Sequence, residues 1–249
     1  MKTILNIILG LTVLFGTALQ AACDQSLAPQ QIIAQADRAR GNLEGIIWTT
    51  DITSSEKGKI QQRSLLIKNR DVNTVAEFTA PAKVKGNKLV MLDRNMWFVK
   101  PGLRKPVPIS PRQKLMGGAA NGDIASTNYA ADYDAVPSGE DQVEGEACYV
   151  FELTANNKKT TYDRIRYWIS KERLLGKRAE FYTVTGKHFK TATFEYANHI
   201  PTDSGEQPFI SKMIIYDEVI KGNVTTMVFR DARLEALPEA VFNLNLMIR

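Results

Sequence analysis

The sequence predicts an α+β fold: one large, curled antiparallel sheet with helices covering its concave face. An amphipathic helical pattern occurs clearly only near the start, whereas most later apolar residues alternate with the period of two that is typical of strands. The polar connections between these segments are short, which favours antiparallel neighbours. A sheet of about nine or ten strands twists, and we therefore expect it to curl. No linker divides residues 23–249, which predicts a single domain.

The first residues predict export. Lys2 supplies a positive charge, and residues 4–19 are almost entirely apolar and end in small residues. This pattern is typical of a secretory signal peptide, here residues 1–22, with cleavage near Ala21–Cys23. A membrane anchor is the alternative, but the apolar run is shorter than the roughly 20 residues that a span requires. We expect a periplasmic protein.

Two cysteines, Cys23 and Cys148, have two possible fates. An exported protein in an oxidising compartment usually pairs its cysteines, which predicts a Cys23–Cys148 disulfide. Alternatively, "LQAAC" is a lipobox and Cys23 is lipidated. Gln20 stands where lipoboxes have an aliphatic residue, which favours the disulfide.

The first helix is predicted in "LAPQQIIAQADRARG", residues 27–41. Pro29 lies near its start, Ile32, Ile33 and Ala36 form one apolar stripe, and Gly41 follows its end. Such a helix can cover one surface of a sheet. At most two further short helical pieces are expected, one of them within residues 103–126.

Strands are predicted from residue 47 onward. "NKLVMLDRNMWFVKP" predicts a hairpin that turns at residues 93–95. Further strands are expected in "RSLLIKNR", "TVAEFTAP", "ACYVFELTA", "YDRIRYWIS", "RAEFYTV", "HFKTATFEYA", "FISKMIIYD" and "TTMVFRDARL". In "DRIRYWIS" one face carries Arg164, Arg166 and Trp168, which suggests cations extended over an apolar surface.

Composition and motifs argue against several classes of function. The formal net charge is +5, and the cations are dispersed, so nucleic-acid binding is not expected, whereas an anionic membrane surface is compatible. His188 and His199 have no histidine or cysteine at ligand spacing, which argues against a metal site. No nucleophile elbow, P-loop or dinucleotide fingerprint occurs. We expect neither an enzyme nor a cofactor.

The segment "LRKPVPISPRQKLMGGAANGDIAS", residues 103–126, resembles no regular element. Its cations Arg104 and Arg112 stand among prolines, and the apolar pair Leu115 and Met116 precedes the glycines. We interpret it as a mobile lid with a glycine hinge, in which residues 111–116 form a helical turn. A rigid surface loop is the alternative.

Several blocks resemble the periplasmic outer-membrane lipoprotein-sorting proteins, relatives of the carrier LolA. The longest is "VKGNKLVMLDRNMWFVKPGLRKPVPISPRQKLMGGAANGDIASTNYAADY", and "CYVFELTA", "TYDRIRYWI", "AEFYTVTGKHFKTATFEY" and "FNLNLM" agree with later strands. The resemblance spans residues 28–249. It implies an incomplete antiparallel barrel around a helical lid, with an apolar cavity for acyl chains.

The function that this resemblance implies is a carrier and chaperone of lipoprotein acyl chains or lipid between the inner and outer membranes. The alternative is an adaptor of an RND-type inner-membrane transporter, a possible partner in either case. The candidate ligand-binding residues are of two kinds, cations for a headgroup or membrane and large apolar side chains for acyl chains. They are Trp97, Met91, Leu115, Met116, Arg104, Arg112 and Trp168. For the tryptophans, ordinary core packing is the alternative.

Overall fold

The structure is a computed structural model that describes residues 27–125, 128–203 and 205–248. Within these ranges it contains seventeen strands, four α-helices and one 3₁₀ helix. The strands are β1 Ile46–Glu56, β2 Lys59–Arg70, β3 Asn73–Ala80, β4 Lys88–Leu92, β5 Asn95–Val99, β6 Val107–Ile109, β7 Lys114–Met116, β8 Ala119–Ala120, β9 Tyr133–Val143, β10 Glu146–Ala155, β11 Arg164–Ser170, β12 Gly176–Tyr182, β13 His188–Glu195, β14 Asn198–Thr202, β15 Gly205–Phe209, β16 Lys212–Asp217 and β17 Val224–Leu234. The helices are α1 Pro29–Arg38, α2 Gly122–Ala125, α3 Tyr129–Asp132, the 3₁₀ helix Glu239–Phe242 and α4 Leu244–Met247.

Thirteen strands form one antiparallel sheet in the order β6-β5-β4-β3-β2-β1-β17-β16-β13-β12-β11-β10-β9. Strand β1 joins its two halves, because it pairs with both β2 and β17. The edge strands β6 and β9 do not pair with each other, so the sheet is an incomplete barrel. Two small ladders, β14-β15 and β7-β8, lie outside it. The predicted large antiparallel sheet is confirmed.

One face of the sheet carries the main core. Alternating residues of most strands, such as Ile165 and Tyr167 of β11, are fully buried there. The apolar stripe of α1 and residues Ile124 of α2 and Tyr129 of α3 belong to the same cluster. We call this the helix-bearing face. None of the helices in the described ranges is long and apolar enough to cross a membrane.

The opposite face has two smaller clusters. In the first, the C-terminal segment places Leu237 and Phe242 against Val90 of β4 and its neighbours. In the second, Trp168 packs with Cys148 and Val150. The guanidinium carbons of Arg166 and Arg178 lie 5.1 and 5.0 Å from the centroid of the Trp168 ring, within the distance of a cation–π contact. The expectation of cations over an apolar surface in this strand is therefore confirmed.

Two elements differ from the expectations. Strand β9 was not expected, because its sequence "YDAVPSGEDQV" is polar and mostly exposed at the edge of the sheet. The helical turn expected at residues 111–116 is wrong: Leu115 and Met116 lie in β7, which pairs with β8. Backbone pairing across the turn at Gly117 satisfies these residues without a helix.

Asp37 and Arg40 lie close together and buried at the end of α1. The Asp37 carboxyl group accepts a hydrogen bond from the Ala130 backbone N–H at 2.8 Å, and its other oxygen lies 4.0 Å from Nη1 of Arg40. The Arg40 guanidinium lies 4.4 Å from the Tyr129 ring centroid. Burial raises the pKa of Asp37 to about 8, against the opposing effect of Arg40.

We predict that Asp37 makes the stability fall with rising pH. Between its ordinary pKa and about 8, the folded protein retains a proton that the unfolded chain releases. The free energy of unfolding should therefore fall by up to about 1.4 kcal/mol per pH unit in this window. Urea titrations from pH 5 to 8 measure the slope. It should become shallower in Asp37→Asn but not in Asp71→Asn, which changes an exposed carboxylate. Equal slopes in all three proteins would contradict the prediction.

Candidate functional site

A cavity of about 540 Å³ lies on the helix-bearing side between residues 110–125 and strands β12, β13 and β16. We call residues 110–125 the strap. Its residues Lys114 and Gly117 to Ala120 form one wall of the cavity. The facing wall is largely aromatic and aliphatic and includes Tyr162, Phe189 and Ile215. The volume lies within the range of about 300–1,000 Å³ that is typical of small-molecule sites.

The glycines of the strap permit close approach to the sheet. A Cβ atom at Gly117 would lie 2.2 Å from Oγ1 of Thr225, and one at Gly122 would lie 1.8 Å from Oγ1 of Thr161. Gly117 also has a φ of +57°, which glycine adopts without strain. The Gly118 N–H donates to Oγ1 of Thr225 at 2.8 Å. The structure therefore gives these glycines a packing role.

A buried polar cluster joins the strap to the sheet. Nζ of Lys190, on β13, lies 2.7 Å from Oδ2 of Asp123, on α2. The Tyr162 hydroxyl donates to Oδ1 of Asp123 at 2.7 Å and also contacts Nζ of Lys190. The Ala120 N–H donates to Oδ2 of Asp123 at 2.8 Å. Burial lowers the pKa of Lys190, although Asp123 opposes the shift.

The rim of the cavity is charged on one side and apolar on the other. Nη1 of Arg112 lies 2.7 Å from Oδ1 of Asp163, and Nζ of Lys114 lies 2.7 Å from Oε1 of Glu56. On the other side, the end of β16 and the turn that follows it present exposed apolar residues. These are Tyr216, Val219 and Ile220, all of which line the cavity. An apolar chain could enter there without crossing an ion pair.

The seven residues predicted to bind ligand are only partly brought together. Arg112 lines the cavity, and Leu115 and Met116 are buried beside it in the strap. Met91 is buried in the same core cluster, in β4. Arg104 is exposed in the loop before β6.

The two predicted tryptophans lie on the other face of the sheet. Trp97 pairs with Val90, whose side chain belongs to the opposite cluster, and directly paired residues share a face. Trp168 belongs to the cluster around Cys148. Both are thus separated from Leu115 and Met116 by the sheet, and ordinary packing accounts for Trp168.

Sequence reasoning missed the aromatic wall and Lys190. The signal for Lys190 was its spacing: it precedes Ala192 and Phe194 by two and four residues, and both are buried in the main core. A lysine in phase with buried positions indicates a buried charge that requires a partner. Tyr162 stands in an irregular segment, where no periodicity could assign its direction.

Some predictions concern residues outside the described ranges. The signal peptide and Cys23 both fall there, so export, lipidation and the disulfide stay predictions. Cys148 is a buried free cysteine on the face opposite α1. No group of three or more potential metal ligands occurs among residues 27–125, 128–203 and 205–248.

The sheet, strap and cavity define a class of protein: an open antiparallel barrel with a cavity against one face of its sheet. Comparison with solved structures agrees. A LolA superfamily protein from Nitrosomonas europaea is 26% identical with a TM-score of 0.80, over 88% of this chain and 99% of that one. A DUF1329 family protein from Desulfovibrio piger is 22% identical with a TM-score of 0.75, over 88% and 97%. A domain named for outer membrane lipoprotein sorting, from Vibrio parahaemolyticus, is 21% identical with a TM-score of 0.74, over 89% and 98%.

A family model described as "Uncharacterized protein" matches residues 70–249. No curated protein matches the chain. Together with the structural relatives, the family match identifies the chain as a member of the LolA-like family.

We predict that Gly122→Ala destabilises the protein through a clash with Thr161. The added methyl group should lower the free energy of unfolding by about 1–3 kcal/mol, as overpacking usually does. Urea denaturation of Gly122→Ala, Thr161→Ala and the double variant measures the coupling. The double variant should lose less than the sum of the single variants, since Thr161→Ala removes the nearest atom. Additive losses would show that the close contact is not the cause.

We predict that Lys190→Met is strongly destabilising because it leaves Asp123 buried without its cation. The expected loss is about 3–5 kcal/mol of unfolding free energy, whereas Lys190→Met with Asp123→Asn should recover part of it. Lys212→Met is the matched control, because it breaks an exposed pair with Glu195 and should cost below about 1 kcal/mol. Similar losses for both lysines would contradict a special role of the buried pair.

Proposed function

We propose that the protein is a periplasmic carrier that binds acyl chains of a lipoprotein or lipid in the strap-bounded cavity and shuttles them between membranes. The single observation that supports this most is the cavity itself, with an apolar wall and an apolar opening. Removing each methylene from water contributes about 0.8 kcal/mol, so a chain enclosed there would be retained without any charged contact. No cofactor is needed.

The helix-bearing face is, in this proposal, the concave face of the incomplete barrel. Helices α1, α2 and α3 then act as its cover, since their apolar residues already share the main core. The cavity lies beside this cover, where the strap replaces a helix as the wall. An acyl chain in the cavity would lie along the sheet, between the strap and the strands that face it.

The family supports the proposed location and cargo. Its structural relatives include a domain named for outer membrane lipoprotein sorting. A protein of the cell envelope would meet acyl chains at both membranes. Handover from an inner-membrane transporter is part of the proposal, and the transporter is the partner expected at the donor membrane.

We predict that narrowing the cavity weakens binding of a fluorescent fatty acid. Thr183→Trp places a large ring at the opening, and Phe189→Glu places a carboxylate in the apolar wall, where it lacks a partner. Each should raise the dissociation constant for dansylated undecanoic acid by about tenfold or more. Thr185→Trp is the control, because it alters the same turn without lining the cavity.

Two outcomes would contradict the carrier function. One is tight binding of the probe by all three variants, which would place the ligand elsewhere. The other is a folded protein that binds no probe and emerges from the bacterial periplasm without a lipid adduct in native mass spectrometry. The second outcome would favour the transporter-adaptor alternative.

A further inference from the structure

The two ends of the main sheet differ in charge. At one end lie the connections 57–58, 81–87, 100–106, 156–163, 183–187 and 218–223, and each contains an exposed lysine or arginine. The strand registers place them together: Glu56 pairs with Lys59, Ser55 with Val224 and Lys190 with Asp217. We call this the basic end. The hairpin turns at the other end contain the acids Asp71, Asp93, Glu144 and Glu172, and the cations of these turns, Arg94, Lys171 and Arg173, are each in an ion pair.

The cations of the basic end are not neutralised within the described residues. No ion pair in those ranges involves Lys57, Lys83, Lys85, Lys100, Arg104, Lys105, Lys158, Lys159, Lys187 or Lys221. The nearby acids are engaged locally. Asp217 accepts from the N–H groups of Val219 and Ile220, both at 2.8 Å, and Glu218 accepts from the Thr191 hydroxyl at 2.7 Å. The basic end therefore presents uncompensated positive charge.

The same end exposes most of the large apolar side chains on the surface. Of the eleven that are exposed in the described ranges, seven lie there: Ile60, Leu103, Val107, Val184, Tyr216, Val219 and Ile220. Val184 is 77% exposed at the turn between β12 and β13, and Val219 is 54% exposed at the turn between β16 and β17. Both turns contribute to the lining of the cavity, through Thr183 and Val219.

We propose that the basic end docks on an anionic lipid bilayer, with Val184, Val219 and Ile220 inserted among the headgroups. Lysines interleaved with exposed apolar residues suit a membrane interface, where the cations pair with phosphates and the apolar tips enter the acyl boundary. The cavity then opens toward the bilayer, so an acyl chain passes into it without crossing water. This inference rests on the proposed carrier function for its purpose, but the docking can be measured separately.

The test is flotation of the purified protein with vesicles of phosphatidylethanolamine and phosphatidylglycerol, compared with phosphatidylcholine vesicles, at low and high salt. The wild type should float with the anionic vesicles and lose binding as salt rises. Lys187→Glu with Lys221→Glu should weaken binding by about tenfold or more. Val184→Glu should weaken it as well.

Matched controls lie at the opposite end of the sheet. Arg38→Glu with Arg233→Glu makes the same change in net charge, and Leu234→Glu alters an exposed apolar residue, 45% accessible. Both should float like the wild type. The docking proposal is overturned if these control variants lose as much vesicle binding as the basic-end variants, or if the wild type does not float with anionic vesicles. An acidic protein surface would then be the alternative partner.

A second measurement separates docking from carriage. Binding of dansylated undecanoic acid in solution, without vesicles, should be unchanged in the Lys187→Glu, Lys221→Glu variant and in Val184→Glu, since none of the three residues lines the cavity. Loss of probe binding in these variants would overturn the assignment of the residues to docking. A wild type that floats but binds no probe would retain the docking and reject the carrier function.

Discussion

The ion pair between Lys190 and Asp123 is the interaction on which the rest of the site depends. Each charge is buried, and burial of either one alone would cost several kcal/mol, so neither residue can leave without the other. Because Asp123 also accepts hydrogen bonds from Ala120 and Tyr162, the pair fixes the strap against the sheet. The position of the strap in turn determines the cavity wall, and hence where the opening lies.

The main strands were predictable because they bury one face over many alternating residues. Ile165, Tyr167 and Ile169 show this pattern, and the short turns around them require antiparallel neighbours. Strand β9 was not predictable in this way. It lies at the edge, most of its side chains are exposed, and only pairing with β10 makes it a strand. The conformation of the strap was not predictable from the sequence either, because close packing against Thr161 and Thr225 determines its path.

The candidate site was harder to predict than the fold, because a strand pattern does not say which face holds the cavity. A shift of one residue moves a side chain to the other face, and Trp97 and Met96 are neighbours that lie on opposite faces. Residue type alone therefore grouped side chains that the sheet separates. Arg112 lines the cavity and belongs to the unusual segment, which the sequence marks by its prolines and glycines, and its role in ligand binding stays a prediction.

The open edges of the sheet have a consequence for self-association. An unpaired edge strand is a template on which a second chain can add, and a protein with exposed apolar loops is at particular risk of polymerising in this way. Both edges here are poor templates: β6 has three residues with Pro108 at its centre, and β9 contains Pro137 and Gly139 followed by acids. The sheet can thus remain open, with its edge strands unpaired, while these edges resist growth into fibrils.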